Sequence, residues 1–124
     1  MHKILVVEDN ERSRTLLREV LTSDGYEVIE ARNGDEGLKA AKEHNPALIL
    51  MDIQMPVMEG LACLKQIREN VEIRHIKIVA LTSFAMKGDR DKFMEAGFDG
   101  YMTKPIDIDQ LTESVNGFIG KREM

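Results

Sequence analysis

Glu8 and Asp9 follow an apolar run at residues 4–7, Asp52 closes the run 47–52, Thr82 follows residues 76–81 and Lys104 follows residues 100–103. Each stands where an apolar segment gives way to polar residues. If those segments are strands of one parallel sheet, their ends gather on one edge. Three carboxylates converging there repel one another and raise each other's pKa unless a cation compensates. Oxygen donors with no His or Cys nearby favour Mg²⁺, which keeps several waters and takes one or two carboxylates plus a phosphate. Lys104 adds a fixed positive charge and Thr82 a hydroxyl. A metal, an ammonium and a hydroxyl together suit a phosphoryl group, and Asp52 would be the nucleophile that accepts it.

The elements needed to position these residues are legible in the hydrophobic pattern. Residues 47–51 are continuously apolar, which marks a strand covered on both faces, as in a parallel sheet flanked by helices. Residues 4–7, 26–30, 76–81 and 100–103 read as the other four strands. The first helix opens at Asn10 as N-cap, presents Leu16, Leu17, Val20 and Leu21 on one face, and ends at Asp24 and Gly25. Asn33 with Glu36 starts the second helix, whose inner face holds Leu38 and Ala41. Residues 53–59, with Pro56, form a loop before a helix bearing Leu61, Leu64, Ile67 and Val71. Residues 84–88 precede a helix around Phe93 and Met94 that Gly97 terminates. Asp107 and Gln110 are a capping pair for the last helix, with Ile108, Leu111, Val115, Phe118 and Ile119 at helical spacing. Gly117 weakens the end of that helix by roughly 1 kcal/mol relative to Ala. Five strands alternating with five helices define an α/β fold with a parallel sheet, and right-handed crossovers place helices on both faces.

A chain of 124 residues is read as one domain, 1–124, large enough to bury a core without staples. With 17 Lys and Arg against 22 Asp and Glu, and no basic run, it is not built to neutralise nucleic-acid phosphates. The single Cys63 excludes an internal disulfide, and His2, His44 and His75 lack metal-ligand spacing. Cys63, between Leu61 and Leu64, reads as a small buried apolar residue. Met51, Met55, Met58, Met86, Met94 and Met102 read as core and loop filler. No apolar segment is long enough to span a membrane and no room precedes Ile4 for a signal peptide, so a cytoplasmic location is expected. Met1 and the short tail 121–124 favour a complete chain.

Glu8-Asp9, the apolar strand into Asp52, Met55-Pro56 and Gly60 after it, Thr82, and Tyr101 three residues before Lys104-Pro105 resemble the receiver domain of two-component response regulators, the chemotaxis regulators among them. The resemblance runs from Lys3 to Ile119. The segment from Phe84 to Asp89 is similar to stand-alone receivers of the DivK type and to receivers attached to hybrid histidine kinases. The resemblance implies a flavodoxin-like, doubly wound five-stranded sheet of order 2-1-3-4-5 with five helices. It implies that a histidine kinase or histidine phosphotransfer protein donates a phosphoryl group to Asp52 with Mg²⁺ present. Asp9, Asp52 and the backbone carbonyl of Gln54 would bind the metal, with Glu8 acting through water. Lys104 would contact the phosphoryl group and be joined to Pro105 by a cis peptide. Thr82 would move to the phosphoryl oxygen, Tyr101 would follow inward, and the face of the fourth helix, fifth strand and fifth helix would change to control a partner protein. The chain would be a monomer or a phosphorylation-dependent dimer, with no catalysis beyond its own phosphorylation and dephosphorylation.

Each residue taken singly has a plainer reading. Glu8-Asp9-Asn10 is a common helix entry, Asp52 a turn residue, Thr82 a cap, Lys104 a solvated charge and Tyr101 a core residue. The functional reading rests on four strand ends carrying consistent chemistry at once. A flavin or dinucleotide binder would set its phosphate against a glycine-rich first turn, where this chain has the repelling Glu8-Asp9-Asn10. A haloacid-dehalogenase-type phosphatase wants Asp-x-Asp after its first strand, where this chain has Asp9-Asn10-Glu11. A receiver-like interaction module that is never phosphorylated is the remaining alternative. Gln54 and Phe84 occupy positions that vary within receivers and flank the path of an attacking water. Phe84 is bulky and apolar, so it is expected to slow self-dephosphorylation. Phe84→Glu should shorten the phosphoaspartate lifetime in a phosphate-release assay, and an unchanged lifetime would contradict this role.

Overall fold

A computed structural model of the chain describes residues 2–54, 60–83 and 88–120. Strands β1 (Lys3–Val7), β2 (Glu27–Ala31), β3 (Leu48–Asp52), β4 (Lys77–Thr82) and β5 (Gly100–Thr103) alternate with helices α1 (Glu11–Ser23), α2 (Gly34–His44), α3 (Gly60–Arg68), α4 (Asp89–Ala96) and α5 (Ile108–Ile119). All strands pair in parallel, in the order β2-β1-β3-β4-β5. The flavodoxin-like order is therefore the one found. Met55, Pro56, Met58, Phe84, Met86, the rest of segments 55–59 and 84–87, and the tail 121–124 lie outside the described residues.

Alternation along the strands splits the core into two layers. Leu5, Val7, Ile49, Met51, Ile78 and Ala80 face α2, α3 and α4, through Leu38, Ala41, Cys63, Leu64, Ile67 and Phe93. Ile4, Val6, Leu48, Leu50, Val79 and Leu81 face α1 and α5, through Leu17, Leu21, Leu111 and Val115. All of β3 is buried because each of its faces has a helical layer to cover it. Cys63 is fully buried, its Sγ 3.4 Å from the carbonyl oxygen of Gly34. Burial, aided by Asp35, pushes its thiol up to about 12 and leaves it inert at neutral pH.

The expected caps form. Asn10, Asn33 and Asp107 accept the backbone N–H groups of Ser13, Glu36 and Gln110 at 2.9, 2.9 and 3.0 Å. Several expected boundaries and faces move. β2 begins at Glu27 rather than Tyr26, because its ladder with β1 opens at Lys3↔Glu27. β4 runs one residue later than expected, so Thr82 is its last residue rather than the first one after it. Leu16 is 42% exposed, since the buried stripe of α1 centres on Leu17 and Leu21. α3 stops at Arg68, and Val71, expected on its inner face, is 71% exposed. The reason is Asn70, whose side chain and carbonyl accept the N–H groups of Glu72, Ile73 and Arg74 and turn the chain out of the helix. Gly117 stays helical, and α5 ends at Gly120 with φ 72°.

Arg68 holds the far edge together. Its guanidinium donates to the carbonyls of Arg74, Ile76 and Gly97 and to Asp99 Oδ2, at 2.7 to 3.1 Å. The same Asp99 oxygen accepts the N–H of Ile78 at 2.8 Å. One fork therefore joins the end of α3 to the entries of β4 and β5. Arg68→Ala should lower the urea midpoint, by about 2 kcal/mol of stability, and Arg68→Lys should recover only part because an ammonium lacks the planar fork. An unchanged midpoint would show that the fork contributes nothing.

Candidate functional site

Register delivers the acidic residues. Val7 pairs with Met51, so Glu8 comes level with Asp52, one step beyond the last apolar pair on the row that faces α1 and α5. Beyond β1 the chain turns through Asp9 into α1, with Asn10 N–H donating to Glu8 Oε2 at 3.1 Å. After β3, Gly60 lets α3 start hard against the departing chain. A Cβ there would lie 2.6 Å from Ile53 Cα and 2.8 Å from the carbonyl oxygen of Asp52, closer than any side chain can sit. The glycine in the sequence signature thus has a steric cause.

One oxygen from each of Glu8, Asp9 and Asp52 lies within 4.8 Å of the others. Glu8 is fully buried, Asp52 is 3% exposed and Asp9 is exposed. Lys104 Nζ bridges the buried pair, 2.9 Å from Glu8 Oε1 and 3.1 Å from Asp52 Oδ2. The N–H of Gln54 donates to Asp52 Oδ1 at 2.9 Å, so both oxygens of Asp52 are engaged. Outside its ion pair with Lys104, Glu8 Oε1 has no hydrogen-bond partner among the described residues.

These groups do not balance. Burial pushes Glu8 up to about 7, with Lys104 pulling it down and Asp52 pushing it further up. For Lys104, burial acts to lower the pKa, but the bonds from Glu8 and Asp52 outweigh it and hold the ammonium above its usual range. Three carboxylates against one ammonium, with an underused buried oxygen among hard donors, match what a divalent cation such as Mg²⁺ requires.

The remaining candidates sit around this centre. Thr82 is fully buried at the end of β4, level with Thr103, and its carbonyl accepts the N–H of Lys104 at 2.8 Å. By strand alternation it continues the row facing α2, α3 and α4, opposite to that of Glu8 and Asp52. Tyr101 is half-buried, its ring 5.8 Å from that of Phe93 on α4. Lys104 and Pro105 are joined by a cis peptide. Gln54 also reaches across to β4, its Oε1 3.4 Å from the N–H of Ser83. Beside the site a cleft of about 330 Å³ opens between α1 and the β5–α5 junction, lined by Glu8, Arg12, Ser13, Leu17, Lys104 and Pro105. The structure thus joins Glu8, Asp9, Asp52, Gln54 and Lys104 directly, sets Thr82 on the adjoining strand end, and keeps Tyr101 on the layer facing α2, α3 and α4, against Phe93.

Residues 4–116 match the response regulator receiver domain. The chain belongs to this family. It is 43% identical over 117 residues to the polar-differentiation response regulator DivK of Brucella anthropi, covering 94% of this chain and 95% of that one. A response regulator structure from Chloroflexus aurantiacus superposes with a TM-score of 0.90 at 27% identity, over 97% of this receiver domain and 98% of that chain. The receiver domain of a sensor histidine kinase from Pseudomonas aeruginosa, solved with a magnesium ion coordinated in its active-site cleft, gives 0.88 at 33% identity, over 97% and 98%. The resemblance read from the sequence is therefore correct, including its DivK-like component. No helix among the described residues of the receiver is long and apolar enough to cross a membrane.

Sequence reasoning missed two features of the site. The first is the full burial of Glu8 in direct contact with Lys104. The available signal was its position as an unbroken continuation of the apolar run. Arg14 also touches the site, donating from Nη1 to the Glu8 carbonyl at 2.9 Å, and nothing in its spacing separates it from a solvated helical charge. In metal-free buffer, Lys104→Met should cost about 2 kcal/mol, limited by Glu8 taking up a proton. Asp52→Asn should raise the urea midpoint by removing one of the crowded charges. Equal midpoints for all three proteins would mean that the ion pairs are energetically silent.

Proposed function

We propose that this receiver is a phosphorylation-switched, cytoplasmic signalling protein whose Asp52 accepts a phosphoryl group from a phosphohistidine on a histidine kinase or phosphotransfer protein. The observation that carries the reading is the arrangement at Asp52: a nearly buried carboxylate held by the Gln54 N–H and the Lys104 ammonium, beside two further carboxylates. In the transfer an Asp52 oxygen attacks phosphorus, the phosphorus–nitrogen bond breaks, and its electron pair returns to the imidazole. Asp9, Asp52 and the Gln54 backbone carbonyl would hold Mg²⁺, with Glu8 behind them. Bound Mg²⁺ supplies positive charge that neutralises the phosphoryl oxygens.

Lys104 already lies at the nucleophile, so its ammonium is placed to meet a second phosphoryl oxygen as the carboxylate becomes an acyl phosphate. Thr82, on the adjoining strand end, contributes its hydroxyl to a third. Tyr101 rests against Phe93, so a shift of Tyr101 toward the site loosens or tightens the seat of α4. The resulting change on the α4-β5-α5 face would be read by a downstream protein. Beyond its own phosphorylation and dephosphorylation the chain carries no proposed catalysis.

Intact mass after incubation with acetyl phosphate tests this, with and without Mg²⁺ and with Asp52→Asn in parallel. One added phosphoryl group that requires both Mg²⁺ and Asp52 is expected. No addition, with no beryllofluoride adduct either, would favour an interaction module that works without phosphorylation.

A further inference from the structure

The last bond between Glu8 and β2 is its N–H to the Ala31 carbonyl, at 3.0 Å. Its own carbonyl, where the chain leaves β1, is taken by a side chain: Arg14 Nη1, at 2.9 Å. Arg14 lies one turn into α1, and helical side chains tilt towards the helix N-terminus, so it reaches back over the turn that carries Glu8 and Asp9. Its side chain is only 13% exposed, and its Nε donates to Glu30 Oε1 at 3.1 Å. The other oxygen of Glu30 takes Arg18 Nη1, also at 3.1 Å.

Helix energetics does not account for this placement, because a cation near a helix N-terminus opposes the macrodipole. Charge at the site does not account for it either, since a guanidinium beside a carboxylate cluster repels any cation bound there. Besides the ion pair with Glu30, its partner is the Glu8 carbonyl, an acceptor of a buried residue at the point where the acidic turn begins. We propose that Arg14 is a positioning residue for the acidic site: it pins the Glu8-Asp9 turn through the Glu8 carbonyl, while Glu30, shared with Arg18, holds its guanidinium in place. The proposal rests on reading the pocket as a Mg²⁺ site.

The two effects of removing Arg14 have opposite signs, which makes the test sharp. Loss of a nearby positive charge alone would tighten Mg²⁺ binding, whereas loss of an outer support that orients ligands weakens it by about tenfold. The experiment is a Mg²⁺ titration of the full chain by calorimetry, with amide NMR of Glu8, Asp9 and Asn10 in metal-free buffer. The proteins are the wild type, Arg14→Met and Arg18→Met, each confirmed as folded by its urea transition. Arg18 shares the Glu30 partner, so Arg18→Met controls for that ion pair and for the lost charge. The expected result is a tenfold weaker Mg²⁺ affinity and shifted or broadened turn amides in Arg14→Met alone. Affinity equal to or tighter than wild type in Arg14→Met, or equal weakening in Arg18→Met, would overturn the positioning role. If the wild type itself binds no Mg²⁺, the reading of the pocket falls, and this proposal with it.

Discussion

The organising constraint of this molecule is a shortage of positive charge at one point. Two carboxylates, Glu8 and Asp52, are buried side by side at the end of the sheet, and Lys104 is the cation placed between them. Removing charges from water costs several kcal/mol per ion, and a single ammonium shared by two carboxylates recovers only part of that. Glu8 registers the deficit as a carboxyl that titrates near neutrality. Elsewhere among the described residues the fold is well satisfied, with two continuous apolar layers and side-chain caps on α1, α2 and α5. The deficit is local, and a divalent cation bound at this point would reduce it.

Much of the scaffold was legible because it follows from periodicity. β3 could be identified from five apolar residues between Pro46 and Asp52, since a run this short, opened by a proline, suits a strand covered on both sides. Asn10, Asn33 and Asp107 marked helix starts because their side chains compete for backbone N–H groups. What escaped was decided by hydrogen bonds between a side chain and a distant backbone group. Arg68 gathers three carbonyls from two connecting segments, and Asn70 ends α3 early and strands Val71 in solvent. Neither leaves a pattern in hydrophobicity.

The site was legible for a different reason. Parallel strands make sequence-distant residues neighbours if each stands at its strand's carboxyl end, so strand ends alone brought Glu8, Asp52, Thr82 and Lys104 together on paper. Strand ends do not specify depth or side. That Glu8 would be sealed from water, that Thr82 would be the last residue of β4, and that Arg14 would reach back to the Glu8 carbonyl depended on register and on side-chain reach.

The two rows of side chains on the sheet also divide the surroundings of the site. Glu8 and Asp52 extend the row under α1 and α5, whereas Thr82 and Tyr101 extend the row under α2, α3 and α4. The sheet is a partition, and the two compartments meet at the site along its carboxyl edge. Under the proposed function, a donor approaching along the cleft at α1 and a target grasping α4 would meet different walls of the protein. Supply and readout would then coexist on one chain, and a bound target would not have to depart before the switch is charged again.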